Sequence, residues 1–147
     1  CFITTDAAIT QGMLHEALSE VTKKTFNRVS VDGDTSTNDM VALLANGQAE
    51  NPLIEWKDED YGVFVNALRY ICTCLAKKIA GDGEGASRLI SCTVKNSRNE
   101  NAAERLAMSV VASSLVKAAM FARMQIGDAY CARWAIPKRH SDRNMLI

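Results

Sequence analysis

Two polar strings hold the side chains that could do chemistry in this 147-residue chain. The first, VDGDTSTND at residues 31–39, places Asp32, Asp34 and Ser36 at alternate positions, as at the start of a calcium-binding loop. An EF-hand loop also needs glycine at its sixth position and glutamate at its twelfth, where this chain has Thr37 and Leu43. Calcium is therefore disfavoured. Two interpretations remain: a hydroxyl-rich turn between strands, or a loop that lines a polar site.

The second string, AGDGEGAS at residues 80–87, places two carboxylates between glycines. No Gly-Lys-Ser/Thr follows, so it is not a P-loop, and it follows a helical pattern where a dinucleotide fingerprint follows a strand. The glycines suit a helix end and a turn. The carboxylates of Asp82 and Glu84 would suit a cationic ligand, such as the ammonium group of a substrate. Both interpretations stay open.

Histidine and cysteine give weaker signals. His15 lies beside Glu16 on a predicted helix and is expected to be a surface or packed residue, and no Ser-His-Asp or Cys-His arrangement can be assembled from two histidines. Five cysteines without a CxxC motif predict free thiols and no metal site. Cys72 and Cys74 are two residues apart on a predicted helix, so they should face different sides.

The composition is that of a globular domain, with 48% hydrophobic and 23% charged residues. The formal net charge is zero, so neither nucleic acid nor an anionic membrane is an expected partner. No apolar run reaches the roughly 20 residues that span a bilayer.

Strands and amphipathic helices must position these strings, which predicts a mixed α/β (α+β) class with helices packed on sheet. Apolar residues at helical spacing predict a helix over residues 10–24 and a longer one from residue 57 to Gly81. The expected stripe of the longer helix is Tyr61, Phe64, Leu68, Ile71, Leu75 and Ile79. Asn101 is the predicted cap of a third helix that runs toward Leu115. Alternating residues predict strands at 1–7, 26–34 and 87–96, and residues 38–47 fit a strand or a short helix.

Five strings taken together carry a resemblance: FITTDA, FNRVSVDGDTSTND, LLANG, KKIAGDGEGAS and SSLVKAAMF. Their order and spacing resemble the β chain of the bifunctional ornithine acetyltransferase / N-acetylglutamate synthase family of arginine biosynthesis. The resemblance covers residues 1–121. It implies a truncated form of that family's fold, an N-terminal-nucleophile-like layered sandwich of sheets covered by amphipathic helices.

The resemblance also implies a mechanism. In this family a precursor cuts itself before a threonine, whose hydroxyl takes acetyl from N-acetylornithine and delivers it to glutamate. Cys1 aligns to the fourth residue of the β chain, so the nucleophile is expected three positions before Cys1, and neither Thr4 nor Thr5 is that residue. No catalytic residue is therefore assigned within the chain, and substrate binding is assigned to Glu84.

The implied partner is the α chain of the same precursor, which supplies the oxyanion donors, in an α2β2 heterotetramer of two copies of each chain. The implied location is cytoplasmic. No cofactor is expected, although some members accept acetyl-CoA as the donor. The chain alone should be inactive, and its bare sheet edges should favour self-association. A related N-terminal-nucleophile hydrolase, such as an aminopeptidase, is disfavoured because the strings match the transferase.

The stretch from residue 122 to 147 does not continue the resemblance and shows no clean period. Residues 122–129 can be encoded by GCA-AGA-ATG-CAA-ATT-GGG-GAC-GCG. With one base restored in front, the same letters encode Gly-Lys-Asn-Ala-Asn-Trp-Gly-Arg, a continuation typical of the family. The predicted organisation is therefore a β-chain core at 1–121 and an out-of-frame tail at 122–147. The alternatives are a diverged C-terminus and, for function, a folded but inactive product of a frameshifted or truncated gene.

Overall fold

The computed structural model describes residues 1–34, 36–83 and 85–122. In chain order the elements are β1 (Phe2–Thr5), α1 (Gln11–Lys24), a 3₁₀ turn (Phe26–Arg28), β2 (Ala42–Ala45), α2 (Glu59–Gly81), α3 (Glu100–Val111) and α4 (Ser114–Phe121). They fall into two compact units, Cys1–Val29 with Asp34–Ile79, and Ser30–Gly33 with the described residues from Ala80 onward. The predicted mixed α/β class is confirmed.

The first unit is built on a parallel pair of strands. β1 and β2 pair in the register Phe2 with Ala42 and Ile3 with Leu43. Parallel strands need a crossover connection, and helix α1 lies in that connection. Ile3 joins the buried core formed with the helices, and Leu43 packs against that core. Because side chains alternate along a strand, Phe2 and Leu44 lie on the opposite face, where both are exposed.

Helix α1 forms as its sequence predicts. The hydroxyl of Thr10 accepts a hydrogen bond from the Met13 backbone N–H, which satisfies a donor that the first turn leaves open. Lysines in the last turn complement the negative end of the helix dipole. Ala17 and Val21 are completely buried, so this helix supplies the centre of the first unit's core.

Helix α2 is capped by Asp58, whose carboxylate accepts a hydrogen bond from the Tyr61 backbone N–H at 2.9 Å. Its buried face differs from the predicted stripe. The buried residues are Tyr61, Val65, Leu68, Cys72 and Ala76, whereas Ile71 and Ile79, which the stripe included, are exposed. Apolar residues surround most of this helix, so spacing alone could not select the face that packs. Within the described ranges, no helix is long and apolar enough to cross a membrane.

A matched pair of substitutions on helix α2 tests which face is buried. Leu68 is 4% exposed and Ile71 is 44% exposed. We expect Leu68→Ala to lower the free energy of unfolding by about 2–5 kcal/mol, since it leaves a cavity in the core. Ile71→Ala should cost less than about 1 kcal/mol, because solvent already reaches that side chain. Urea unfolding followed by circular dichroism measures both. Equal losses would contradict the observed packing of the helix.

Two predicted strands do not form. After helix α1, Phe26–Arg28 instead make a 3₁₀ turn, held by hydrogen bonds from the Arg28 N–H to the Thr25 carbonyl and from the Val29 N–H to the Phe26 carbonyl, both at 3.0 Å. Residues 87–96 show no ladder, although Ile90, Cys92 and Val94 are half-buried and the residues between them are exposed. Burial along this segment therefore alternates as the sequence predicts. A strand also needs a neighbour to bond, and none pairs with this segment in the described structure.

The second unit contains helices α3 and α4. Helix α3 begins two residues earlier than predicted, because Asn99 and not Asn101 is its cap: the Asn99 side chain accepts from the Ala102 N–H at 2.8 Å. The helix also stops at Val111 and does not continue to Leu115. Ser113 starts a new helix there by accepting from the Val116 N–H at 3.4 Å. Val110, Val116 and Ala119 are buried in this unit.

The corrected cap of helix α3 can be tested by comparing two asparagines. Asn99→Ala removes the acceptor for the Ala102 N–H and should cost about 1 kcal/mol of stability. Asn101→Ala lies inside the helix and exchanges asparagine for a better helix former, so it should be neutral or stabilising. Thermal unfolding of the two variants separates them. A larger loss of stability in Asn101→Ala than in Asn99→Ala would indicate that Asn101, the residue predicted from the sequence, is the cap.

Candidate functional site

The amino end of β1 is already part of the sheet at the first residue. The Cys1 nitrogen donates to the Met40 carbonyl at 2.9 Å, and the Ala42 N–H donates to the Cys1 carbonyl at 2.9 Å. Cys1 therefore lies between Met40 and Ala42 in the ladder, and its half-buried side chain packs against the core of the first unit. The position of this end of the strand is fixed by two hydrogen bonds to the same neighbouring segment, at Met40 and Ala42.

The segment beside that end is the second half of the hydroxyl-rich string. Its described residues from Asp34 to Met40 are exposed. The Ser36 hydroxyl accepts a hydrogen bond from the Asn38 N–H at 3.1 Å, which is a local Ser/Thr turn. Within the described ranges, no group of three or more His, Cys, Asp or Glu side chains is placed to hold a metal ion. The segment therefore places hydroxyl, amide and carboxylate groups next to the amino end of β1. It forms a local turn, and its residues are open to solvent.

The opposite, carboxyl ends of the strands use their polar side chains to hold loops. The Thr5 hydroxyl accepts from the Ala7 N–H at 3.2 Å, and the Asn46 side chain accepts from the Gln48 N–H at 3.1 Å. Asn51 accepts from the Ala8 N–H at 2.7 Å and donates to the Ala8 carbonyl at 3.1 Å. The Thr5 and Asn46 side chains satisfy backbone donors in local turns, whereas Asn51 ties the loop after β2 to the loop after β1. The FITTDA and LLANG strings are thus structural at this end of the sheet.

A cluster of charged residues joins helices α1 and α2. Lys57 pairs with Glu16, and Arg69 pairs with Glu20 at 2.9 Å. Tyr61 lies against this cluster with its hydroxyl buried, and burial, followed by the Glu16 carboxylate, raises the pKa of its phenol. A hydrogen bond to Glu16 raises the pKa of the Lys57 ammonium group. A phenol and an ammonium held in these forms cannot act as bases near neutral pH, so the cluster is not a candidate for acid-base chemistry.

The sequence did not point to this cluster. Its pairs join residues that are 41 and 49 positions apart, so no local spacing reveals them. The only available signal was the placement of Glu16 and Glu20 one turn apart on the predicted helix α1, which is a common surface pattern.

The glycine-rich string follows the end of helix α2 as predicted. The Gly83 carbonyl accepts from the Ala86 N–H at 2.8 Å, which closes a turn, and Gly85 has φ of +72°, a conformation that favours glycine. Asp82 is exposed. Glu84, the predicted substrate-binding residue, lies outside the described residues. The backbone on both sides of it is that of a tight glycine turn at a helix end.

Comparison with known proteins then decides the family. A family model described as the ArgJ family matches residues 1–132. The chain belongs to the ArgJ family. It is 53% identical over 120 residues to the arginine biosynthesis bifunctional protein ArgJ of Lactococcus lactis and 54% identical over 120 residues to that of Staphylococcus epidermidis.

The ArgJ fold is confirmed by a solved structure. A crystal structure of ArgJ from Bacillus halodurans matches 97% of this chain and 67% of that chain, at 42% identity and a TM-score of 0.90. The L. lactis and S. epidermidis alignments cover 82% of this chain but 30% of each relative. The chain therefore spans about 30% of the length of these two relatives, and the fold is a truncated ArgJ fold.

Within this ArgJ chain, several predicted residues can be placed. His15 is exposed on helix α1. Cys72 is buried and Cys74 is exposed, so they face different sides of helix α2 as expected, and burial raises the pKa of the Cys72 thiol. Residues 123–147, most of the predicted out-of-frame tail, lie outside the described residues. The boundary at residue 121 stays a prediction.

Proposed function

We propose that this chain is the β-chain part of an acetyltransferase that moves an acetyl group from N-acetylornithine to glutamate in arginine biosynthesis. The observation that carries the proposal is membership of the ArgJ family together with the fixed amino end of β1. The matched relatives are named arginine biosynthesis bifunctional proteins. For this chain, the proposal concerns the strand that positions the nucleophile and the residue that binds substrate.

The proposed nucleophile is a threonine three positions before Cys1. The register that pairs Phe2 with Ala42 places Cys1 level with Val41, and three further steps back along both strands reach Asn38. That threonine would then stand beside the exposed hydroxyl-rich segment, at an end of the strand held by the Met40 and Ala42 hydrogen bonds. Self-cleavage of the precursor would free its α-amine to act as the base.

The reaction would proceed in two steps, acetylation of the threonine and transfer of the acetyl group to glutamate. The threonine oxygen attacks the acetyl carbonyl carbon of N-acetylornithine, the amide C–N bond breaks, and the ornithine amine leaves with the threonine proton. The resulting acetyl ester is attacked by the glutamate amine, which breaks the ester bond and returns the proton to the threonine oxygen. Donors from the α chain would stabilise both oxyanions.

Glu84 is the proposed substrate-binding residue. Its carboxylate would hold a substrate ammonium group by a charge-assisted hydrogen bond. The turn between Gly83 and Ala86 supports this role, because glycines on both sides allow a ligand to approach the backbone closely. The proposal needs no cofactor. Acetyl-CoA is included only as an alternative acetyl donor.

The proposed assembly is the heterotetramer with the α chain of the same precursor, in the cytoplasm. The chain spans 30% of the length of its named relatives, so most of the protein that would complete the site lies outside it. The exposed outer face of the sheet, with Phe2 and Leu44, supports the presence of a further layer, since parallel sheets are normally covered on both faces.

The acetyl-enzyme intermediate gives a direct test. The complete enzyme is incubated with N-acetylornithine and no glutamate, quenched in acid, and the mass of the complete β chain, including the residues before Cys1, is measured. We expect the mass to rise by one acetyl group, located upstream of Cys1, and to return when glutamate is added. An acetyl group that stays on the α chain, or none at all during turnover, would contradict the proposed role.

The second candidate is a folded but inactive product of a frameshifted gene. It is favoured by the family-like continuation that one restored base gives after residue 121. Sequencing the coding DNA around the Ala122 codon decides it. A single missing base relative to an open ArgJ frame supports this candidate, and an uninterrupted native frame removes it.

A further inference from the structure

The solvent-facing side of helix α2 carries a second apolar stripe. Val63 is 63% exposed, Tyr70 is 74% exposed, and Ala67 and Cys74 are also exposed. These four residues follow one another at steps of four, three and four, which is the spacing of a helix–helix seam. A helix with apolar residues on two faces normally has two partners, and the first unit's core occupies only one of these faces.

Residues of opposite charge lie at the two ends of this stripe. Asp60 lies in the first turn and Lys77 near the last turn, and both are exposed. At 3.6 residues per turn, the positions of Asp60, Lys77 and the four stripe residues all lie within about 60° of one direction around the helix axis. The stripe therefore has an acidic start, an apolar centre and a basic end on one continuous surface.

The order of these residues is self-complementary. If two copies pack antiparallel about a two-fold axis midway between Leu68 and Arg69, Ala67 faces Tyr70 and Val63 faces Cys74 of the second copy. The same axis places Asp60 opposite Lys77 of the second copy. A two-fold axis requires such reciprocal pairs, and one axis position satisfies all three. Antiparallel packing also opposes the two helix dipoles favourably.

We propose that two copies of this chain associate through the exposed face of helix α2, as an antiparallel helix pair defined by Val63, Ala67, Tyr70 and Cys74. The pairing of the acidic end with the basic end of the other copy argues for a second copy as the occupant, in preference to an unrelated chain. This interface does not depend on the acetyl-transfer proposal, since an inactive product would carry the same face.

Directed cross-linking provides the first test, in the 147-residue chain and in parallel in the complete enzyme. Val63→Cys places a thiol opposite Cys74 of the second copy, so mild oxidation should give a covalent dimer on a non-reducing gel. In the unchanged chain the two Cys74 thiols would be roughly 16 Å apart along the helices, too far to bond. The matched control is Val63→Cys with Cys74→Ser, which should lose the covalent dimer.

A disruption test identifies the surface independently. Tyr70→Glu would bury a charge at the centre of the seam and should raise the dimer dissociation constant by about tenfold or more in sedimentation. Leu44→Glu makes the same kind of change on the exposed sheet face and should change it by less than about twofold. Both sites are exposed, so circular dichroism should show unchanged folding.

The results separate the possible occupants. The proposal is overturned if the chain stays monomeric, if the covalent dimer survives Cys74→Ser, or if Leu44→Glu and not Tyr70→Glu dissociates the dimer. A cross-link that forms in the isolated chain but not in the complete enzyme would show that the rest of the enzyme covers this face, and would also overturn the proposal.

Discussion

The 147-residue chain by itself is expected to transfer no measurable acetyl from N-acetylornithine to glutamate. The proposed nucleophile lies upstream of Cys1 and the proposed oxyanion donors belong to the α chain, so neither group is present. Loss of the catalytic nucleophile alone lowers turnover by about 10⁶-fold in a serine protease, an enzyme of comparable acyl-transfer chemistry. Co-expression of the complete precursor should restore turnover, measured as N-acetylglutamate formed over time.

Two controls make this result informative. Circular dichroism and cooperative unfolding of the chain alone show that it is folded when assayed. A complete precursor with the proposed threonine changed to alanine should be neither cleaved nor active. Acetyl transfer by the isolated chain above the uncatalysed rate would contradict the placement of the nucleophile outside it, and would require a new search among its own hydroxyl and thiol groups.

Replacing Glu84 by glutamine in the complete enzyme is expected to lower kcat/KM for N-acetylornithine by about 10–100-fold. The change keeps the shape of the side chain but removes the charge that would bind the ammonium group, and a hydrogen bond to a charged group contributes about 1.5–3 kcal/mol. The effect should appear mainly in KM, because the ammonium group lies away from the bond that breaks.

The neighbouring carboxylate provides the matched control for Glu84. Asp82 lies two residues earlier in the same glycine-rich string and is exposed. Asp82→Asn should leave kcat/KM within about twofold, since a solvated charge contributes little. If Asp82→Asn impairs the enzyme as much as Glu84→Gln, general electrostatics of the turn, and not a specific contact with Glu84, would explain the loss. The cleavage test of the precursor is unaffected by either change, so failure here leaves the acetyl-transfer proposal intact.

Local signals predicted the existence of most elements. Helix α1 begins at the hydroxyl cap Thr10 and ends with lysines, and helix α2 follows the acidic residue Asp58. Caps and periodicity act over a few residues, so they can be read from the sequence. The error at helix α3 is of the same kind: two asparagines two residues apart both fit the cap, and only the hydrogen bond to Ala102 distinguishes them.

Some features of the candidate site follow from local sequence, and others depend on contacts between distant residues. The polar strings were found from residue types, and a family-specific order of strings led to Glu84. The neighbourhood of Cys1 could not be found, because it depends on the pairing of β1 with a strand 40 residues later in the chain. The ion pairs between helices α1 and α2 were missed for the same reason.

The α/β class, the family and the positions of helices α1 and α2 follow from the amino-acid sequence, since they depend on local pattern and on strings of specific residues. Three features emerge only in the folded chain: which face of helix α2 is buried, that residues 26–28 turn and do not pair, and that Cys1 lies between Met40 and Ala42. Burial and strand pairing depend on partners that are distant in the chain, so local pattern does not specify them. Helix α2 is apolar on more than one side, so its own residues are compatible with either face until the core of Ile3, Val21 and Ile54 selects one.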